Sequence, residues 1–233
     1  MLQEIETPLT PIERQASLGE LAYASLKESI ISGQFVPGSK LTVRSVAQAL
    51  GVSTTPARDA IVRLTGQGAL INVGPRTVVV PVLTVATLYE VTEIRLALEG
   101  LAAFEATAHI EAADVSFLEE TQSRISAAMD KAQYQDVLRL NKAFHFRLYT
   151  ASEMPRLLPL IESQWLRMGP SLNNLYPDFA IRRRGASNHQ RAISGLKDRD
   201  PPTVRAAIEN DLRDGCRRMS NLVLSQQSEA GTP

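Results

Sequence analysis

Apolar positions along this chain change period twice. Leu18, Leu21, Ala22, Leu26 and Ile30 recur at helical spacing and predict a first helix that ends at Gly33. The preceding Ser17-Leu18-Gly19-Glu20 reads as a capping box, in which serine and glutamate each satisfy an orphan amide. After a Pro37-Gly38 turn, a short second helix fits Val43–Leu50 with Val46, Ala47 and Leu50 facing inward. Gly51-Val52-Ser53 makes a tight connection to a third helix, which begins near Thr54 or Thr55 with Pro56 in its first turn and runs to Gly66–Gly68. The pattern then becomes consecutive and β-branched over Leu70–Val73 and Arg76–Val80, interrupted by Gly74-Pro75, which predicts a small hairpin. From Thr84 onward every strong pattern is helical again, with helices expected near 87–108, 114–131, 134–151, 155–169, 180–197 and 202–225. Pro170, Pro177 and Pro201-Pro202 fall in the expected breaks, and His109 reads as a core histidine on an apolar face.

This order divides the chain near residue 82. Residues 1–16 read as a loose tail, 17–82 as a small helix-helix-helix-hairpin unit, 83–225 as an all-helical unit and 226–233 as a frayed end. The fold class is mainly α. Two short helices joined by a tight turn and followed by a hairpin make a winged helix-turn-helix. The helix after the turn is sized for the major groove of B-DNA, with its N-terminal residues at the base edges.

Charge sharpens the division. The 233 residues carry 25 basic and 25 acidic side chains, a net charge of zero. Between Gln34 and Pro81, however, Lys40, Arg44, Arg58, Arg63 and Arg76 face one acid, Asp59, giving +4 against −4 for the remainder. The chain has a single cysteine, Cys216, so it forms no internal disulfide and no Cys-rich zinc motif. Its apolar runs are too short to span a bilayer, and Met1–Arg14 lacks the basic start and apolar core of a signal peptide. The expectation is a soluble protein of a reducing cytoplasm.

The ordered run Gly33-Gln34-Phe35-Val36-Pro37-Gly38, Leu41, Val46-Ala47, Leu50-Gly51-Val52-Ser53, Thr55-Pro56-Ala57-Arg58-Asp59-Ala60 and Leu64 resembles the DNA-binding domain of the GntR family, over about residues 18–81. The resemblance implies that operator contacts fall to Arg44 at the start of the second helix, to Ser53, Thr54, Thr55 and Arg58 around the first turn of the third, and to Gly74 at the wing tip. The family often has arginine where this chain has Thr54, which bears on base preference. The plain alternative is that Arg44 and Arg58 only solvate helix ends.

Tyr89-Glu90-Val91 followed by Ile94-Arg95-Leu96-Ala97-Leu98-Glu99-Gly100-Leu101-Ala102 resembles the opening helix of the all-helical, FCD-type effector domain of the FadR-like branch, over roughly 84–222. Many members of that branch hold a divalent metal with an Asp-x-x-x-His pair and two later histidines. Here the corresponding positions are Asn141, His145, His189 and Asp211, so the carboxylate has moved to another helix. Two imidazoles and a carboxylate suit Zn2+ or a similar ion with open positions for an effector oxygen. The alternative is a metal-free pocket in which these groups hydrogen-bond the effector or each other. Arg95 either receives an effector carboxylate or pairs with Glu99 one turn on. Arg167 and Asn173 are further effector candidates, with Trp165 and Tyr176 nearby and Arg182, Arg183 and Arg184 as weaker ones.

Together these resemblances imply a metabolite-responsive transcriptional repressor. It would bind a pseudo-palindromic operator in double-stranded DNA as a homodimer and be released by a small carboxylate effector. The alternative is a metal-dependent enzyme built on the His/Asp site. The chain has no GxSxG or HExxH motif and no Gly-rich phosphate loop to supply a nucleophile, base or phosphate cradle. A third possibility is a dimerisation scaffold without an effector.

Overall fold

The computed structural model describes residues 17–172 and 184–230, with side chains except those of 184–186 and 226–230. It is mainly helical, with a small sheet in the N-terminal winged region and an all-α bundle after it. Helix α1 (Leu18–Ile31) opens on the expected capping box: Glu20 N donates to Ser17 Oγ, and Ser17 N to Glu20 Oε2, both at 3.2 Å. It buries Ala22, Leu26, Ile30 and Ile31. Leu18 and Leu21 share the helical spacing but lie on the solvent side of the first turn, more than half exposed.

Strand β1 (Lys40–Thr42) was not expected from the pattern. It is three residues long, too short to show alternation, and only Leu41 is buried. Thr42 ends the strand and caps α2 (Val43–Leu50), which stops at Gly51 in the left-handed region, φ +65°. Helix α3 (Thr54–Gly66) buries Pro56, Ala57, Ala60, Ile61 and Leu64. Strands β2 (Ile71–Gly74) and β3 (Thr77–Val79) form the hairpin, and the sheet order is β1-β3-β2, all antiparallel.

The bundle consists of α4 (Val85–His109), α5 (Ala112–Asp130), α6 (Tyr134–Thr150), α7 (Leu157–Leu172), α8 (Arg184–Lys197) and α9 (Pro201–Ala230). Helix α9 packs along α4 and α8, α5 packs on α6 and α8, and α4 touches α6 and α7. Where a frayed end was expected after Ser225, α9 continues to Ala230. His109 is not in the core: it sits half-exposed at the C-terminal end of α4, its Nδ1 3.5 Å from Glu153. At that end the helix dipole favours a cationic or donor group, which suits a surface histidine.

Helix α7 runs through Pro170 instead of breaking there. Proline disfavours helical backbone in the residue before it by clashing with that residue's Cβ, and Gly169 has none. Gly169 serves a second purpose. Helix α1 crosses so closely that a Cβ on Gly169 would lie 2.5 Å from the Ile30 carbonyl oxygen and 2.7 Å from that of Ile31. The crossing is flanked by ion pairs, Lys27 Nζ to Glu162 Oε2 at 2.5 Å and Glu28 to Lys142 of α6. No described helix is long and apolar enough to cross a membrane.

Candidate functional site

Two places in this fold carry unfinished electrostatics. The first is buried in the bundle. The i, i+4 spacing puts Asn141, His145 and Tyr149 on one face of α6, and packing brings His189 of α8 and Asp211 of α9 against His145. His145 Nε2 lies 3.3 Å from His189 Nε2 and 3.4 Å from Asp211 Oδ2, and His189 Nε2 lies 3.9 Å from the same carboxylate oxygen. Asn141 joins His145 and Asp211 in lining a cavity of about 50 Å3.

The outer hydrogen bonds fix which ring nitrogens face inward. Burial and the Glu99 carboxylate hold the Tyr149 hydroxyl well above its usual pKa, so it keeps its proton and donates it to Glu99 Oε2 at 2.5 Å. Tyr149 then accepts from His145 Nδ1 at 2.9 Å. Likewise Gln122 Oε1 of α5 accepts from His189 Nδ1 at 2.6 Å, the amide being oriented by its Nε2 contact with Ser126. Burial pulls the His189 imidazole down to about 4, the neighbouring His145 adding to that and Asp211 opposing it. Burial opposes ionisation of Asp211, but its hydrogen bond with His145 and the charges of His189, His145 and Arg95 outweigh that and keep its pKa below the usual carboxylate range.

The Nε2 atoms of His145 and His189 converge with the Asp211 carboxylate. His145, His189 and Asp211 keep their ligand atoms within 4.8 Å of one another. A separation of 3.3 Å between the two nitrogens is close to the edge of a tetrahedron with zinc–nitrogen bonds of about 2.0–2.1 Å. Outer-shell acceptors on each Nδ1 are the usual support of a metal-binding imidazole. The donor set therefore fits a divalent cation, with the neutral Asn141 amide as the weaker fourth group.

Arg95 is buried and lines the same cavity, but its Nε already donates to Glu99 Oε1 at 2.6 Å, and its guanidinium lies 4.9 Å over the Trp165 ring. Burial opposes its charge, and Glu99 more than offsets that. Of the two sequence alternatives, the pairing with Glu99 is the one seen, in an arginine that also lines the cavity. Trp165 also lines the cavity, and its buried indole N–H has no acceptor among the described residues. Arg167 lies elsewhere: its guanidinium packs against Gly68 of the winged region, and it does not line the cavity. Asn173, Tyr176, Arg182, Arg183 and the side chain of Arg184 fall outside the described residues.

Gln122 and Tyr149 were not singled out in the sequence. Their signal was present: Gln122 is polar on a face of α5 shared with buried Leu118 and Ile125, and Tyr149 follows His145 by one turn.

The second place is a cleft of about 840 Å3 between α3 and the hairpin. Arg44, Arg58 and Arg76 line it together with Thr54, Asn72 and Gly74, and no acid does. Among the described residues none of these three arginines has an ion-pair or hydrogen-bond partner, whereas Arg95, Arg139, Arg147, Arg199, Arg205 and Arg213 all do. Ser53 is the N-cap of α3, is exposed, and its side chain makes no capping bond. Thr55 is exposed there too.

A winged helix-turn-helix with unpaired arginines, continuous with a helical bundle that buries a ligand-type centre, is the build of a DNA-binding transcriptional regulator. The chain belongs to the bacterial regulatory proteins of the GntR family, which it matches over residues 18–80, and it carries an FCD domain over residues 90–214. It is 30% identical over 203 residues to the HTH-type transcriptional regulator McbR of Escherichia coli K12, covering 86% of each chain. A solved structure of E. coli McbR/YncC superposes with a TM-score of 0.82 at 27% identity, covering 89% of this chain and 99% of that one. A GntR regulator from Rhodococcus sp. RHA1 shares the fold at a TM-score of 0.70 and 19% identity, covering 86% and 96%.

Proposed function

We propose that this regulator is a metabolite-responsive repressor that divides near residue 82 into a DNA reader and an effector-sensing bundle. It binds a pseudo-palindromic operator as a homodimer through Arg44, Ser53, Thr54, Thr55, Arg58 and Gly74. A small carboxylate effector, bound with a divalent metal at His145, His189, Asp211 and Asn141, releases it. The observation that carries this reading is the convergence of His145, His189 and Asp211, whose ligand atoms all lie within 4.8 Å of one another. When bound, the cation supplies a Lewis-acid position for an effector oxygen. The ionised Asp211 and the self-matched Arg95–Glu99 pair leave the cavity with no free positive charge. An anionic effector is therefore received together with the cation, and Arg95 and the Trp165 N–H orient it.

Three features support the rest of the reading. The helices that line the cavity also hold the reader: α6 through Lys142 to Glu28, and α7 through Glu162 to Lys27 and the Gly169 crossing. An effector that binds two arrangements of those helices unequally would shift the reader between them. For the homodimer, Ile94, Ala97, Leu101, Phe104 and Ala108 lie exposed along α4 at alternating spacings of three and four, the period of a self-pairing helical seam. The two-fold dimer then matches a two-fold operator.

The test is native mass spectrometry of the freshly purified full chain, followed by operator binding with and without chelator. A dimer carrying one divalent ion per chain, whose response to small organic acids disappears on chelation, is the expected result. A metal-free dimer that responds unchanged would overturn the metal-assisted reading.

A further inference from the structure

The cavity beside His145 and Asp211 has two kinds of wall. Arg95, Asn141 and Asp211 make one part polar, whereas Leu138, Leu172 and Leu212 make another part aliphatic. Along α9 the change follows one helical stripe. Asp211, Gly215 and Met219 recur every fourth residue, and Leu222 and Val223 continue that face with no further charge.

A second cavity, of about 30 Å3, lies at the far end of the stripe. Its walls include Pro37 of the reader, Val82 and Leu83 of the connection into α4, and Leu222 and Val223 of α9. Ser171 is the one polar side chain among its described lining residues. Met219 is buried and lines both cavities, so one side chain is a wall that the two share. It is unbranched and flexible, well suited to move aside for an incoming group. It also belongs to a small apolar cluster with Leu83, Leu88, Val91 and Met168, separate from the main core, so repacking it disturbs little else.

The walls select what can lie along the stripe. A buried water needs roughly two to four polar partners, and the side chains around the second cavity offer one. A polyhydroxylated acid would bring hydroxyls against Leu212 and Met219 and leave them unpaired, which costs more than the contact returns. Methylene groups carry no such cost and gain by leaving water. Asp211 and Met219 are separated by roughly 12 Å of helix at about 1.5 Å per residue, so a tail that joins the cavities is several carbons long.

We propose that the effector is an aliphatic carboxylate with an unhydroxylated tail of several carbons. Its head lies at the His145, His189 and Asp211 centre, and its tail passes Met219 into the second cavity. The proposal rests on the effector-sensing reading above and adds the chemical class of the ligand. A tail that ends on Pro37, Val82 and Leu83 touches the joint between reader and bundle, where its contacts differ between two arrangements of the reader.

The test is calorimetric titration of the zinc-supplemented full chain with the straight-chain acids from acetate to decanoate, and with gluconate as the hydroxylated counterpart of hexanoate. Affinity is expected to rise about fourfold per added methylene across the middle of the series, with gluconate far weaker than hexanoate. Leu222→Trp places a large ring in the second cavity and should stop the rise at a shorter acid. Leu222 is only partly buried, so the fold tolerates the change. Met219→Ala widens the passage and should favour the longest members instead. A flat affinity along the series, or gluconate binding as tightly as hexanoate, overturns the proposal and leaves the effector-sensing reading standing. A rise that both variants leave untouched marks unspecific partitioning of the chains and overturns it too. If no acid of either kind binds, the effector-sensing reading fails, and the proposal with it.

Discussion

The cleft beside α3 and the centre between α6, α8 and α9 are mirror images in charge. In the cleft, three guanidiniums face solvent with no acid to meet them. In the centre, two imidazole Nε2 atoms and a carboxylate face one another at the core. Water screens the first arrangement, so leaving it unfinished costs little and the arginines stay available to an external anion. Nothing screens the second, where low dielectric makes unmatched acceptors expensive. The difference is one of kind: the cleft is open to a polyanion, whereas the buried centre is able to hold a cation.

That contrast can be broken at its strong end first. Replacing His145 and His189 together by alanine should abolish divalent-metal uptake, measured by elemental analysis and calorimetric titration, while DNA binding persists. Loss of one outer-shell partner is milder: Gln122→Ala should weaken metal affinity by about 10–100-fold, because His189 loses its orienting acceptor. Between the two regions, Gly169→Ala forces α1 away from α7 and should lower stability by about 1–3 kcal/mol in thermal or urea unfolding. At the cleft, Arg58→Ala should weaken binding to a selected duplex by about 1–3 kcal/mol if it meets a base edge, read by gel shift at fixed salt. An effect that is uniform across sequences would make it a phosphate contact instead.

A further effect is a matter of pH. His189 titrates near 4 in the fold and near its ordinary 6.5 in the unfolded chain. Between those values the unfolded state binds more protons, so stability of the metal-free protein should fall as pH drops through this window. In His189→Gln that part of the slope should vanish. A slope that is unchanged in urea titrations at several pH values would show that His189 is not the group responsible.

Much of this was readable from the residues because it is local. The Ser17–Glu20 capping box, the Gly51 stop and the hairpin are set by neighbours within a few positions. Helical period alone does not separate Leu18 and Leu21, which are exposed, from Ala22, Leu26 and Ile30, which are buried. It also placed His109 inside, where the end of α4 is in fact open. Strand β1 exists only because Leu41 finds Val78 across the sheet, a partner 37 positions away. At the centre, family resemblance pointed to Asn141, His145, His189 and Asp211; the structure brings the last three within 4.8 Å of one another and places Asn141 on the cavity wall beside His145 and Asp211. Gln122 reaches His189 across 67 positions, and no spacing rule records such a contact. Arg167 shows the converse: its place in the chain suggests the pocket, but the face of α7 it occupies turns it towards Gly68.

The bare backbone contact at Gly169 bears on how such proteins can be recombined. A winged region is commonly thought of as a portable cassette that can be cut at the linker and fused to another sensor. Here two carbonyl oxygens of the cassette's first helix, those of Ile30 and Ile31, sit against Gly169, with no room for a single methyl group on the opposing helix. A chimera that imports another winged region onto this bundle inherits a socket shaped for the path of Ile30 and Ile31. It will need either a first helix that follows that path or a compensating change in α7, so the unit of exchange extends past the linker into the bundle itself.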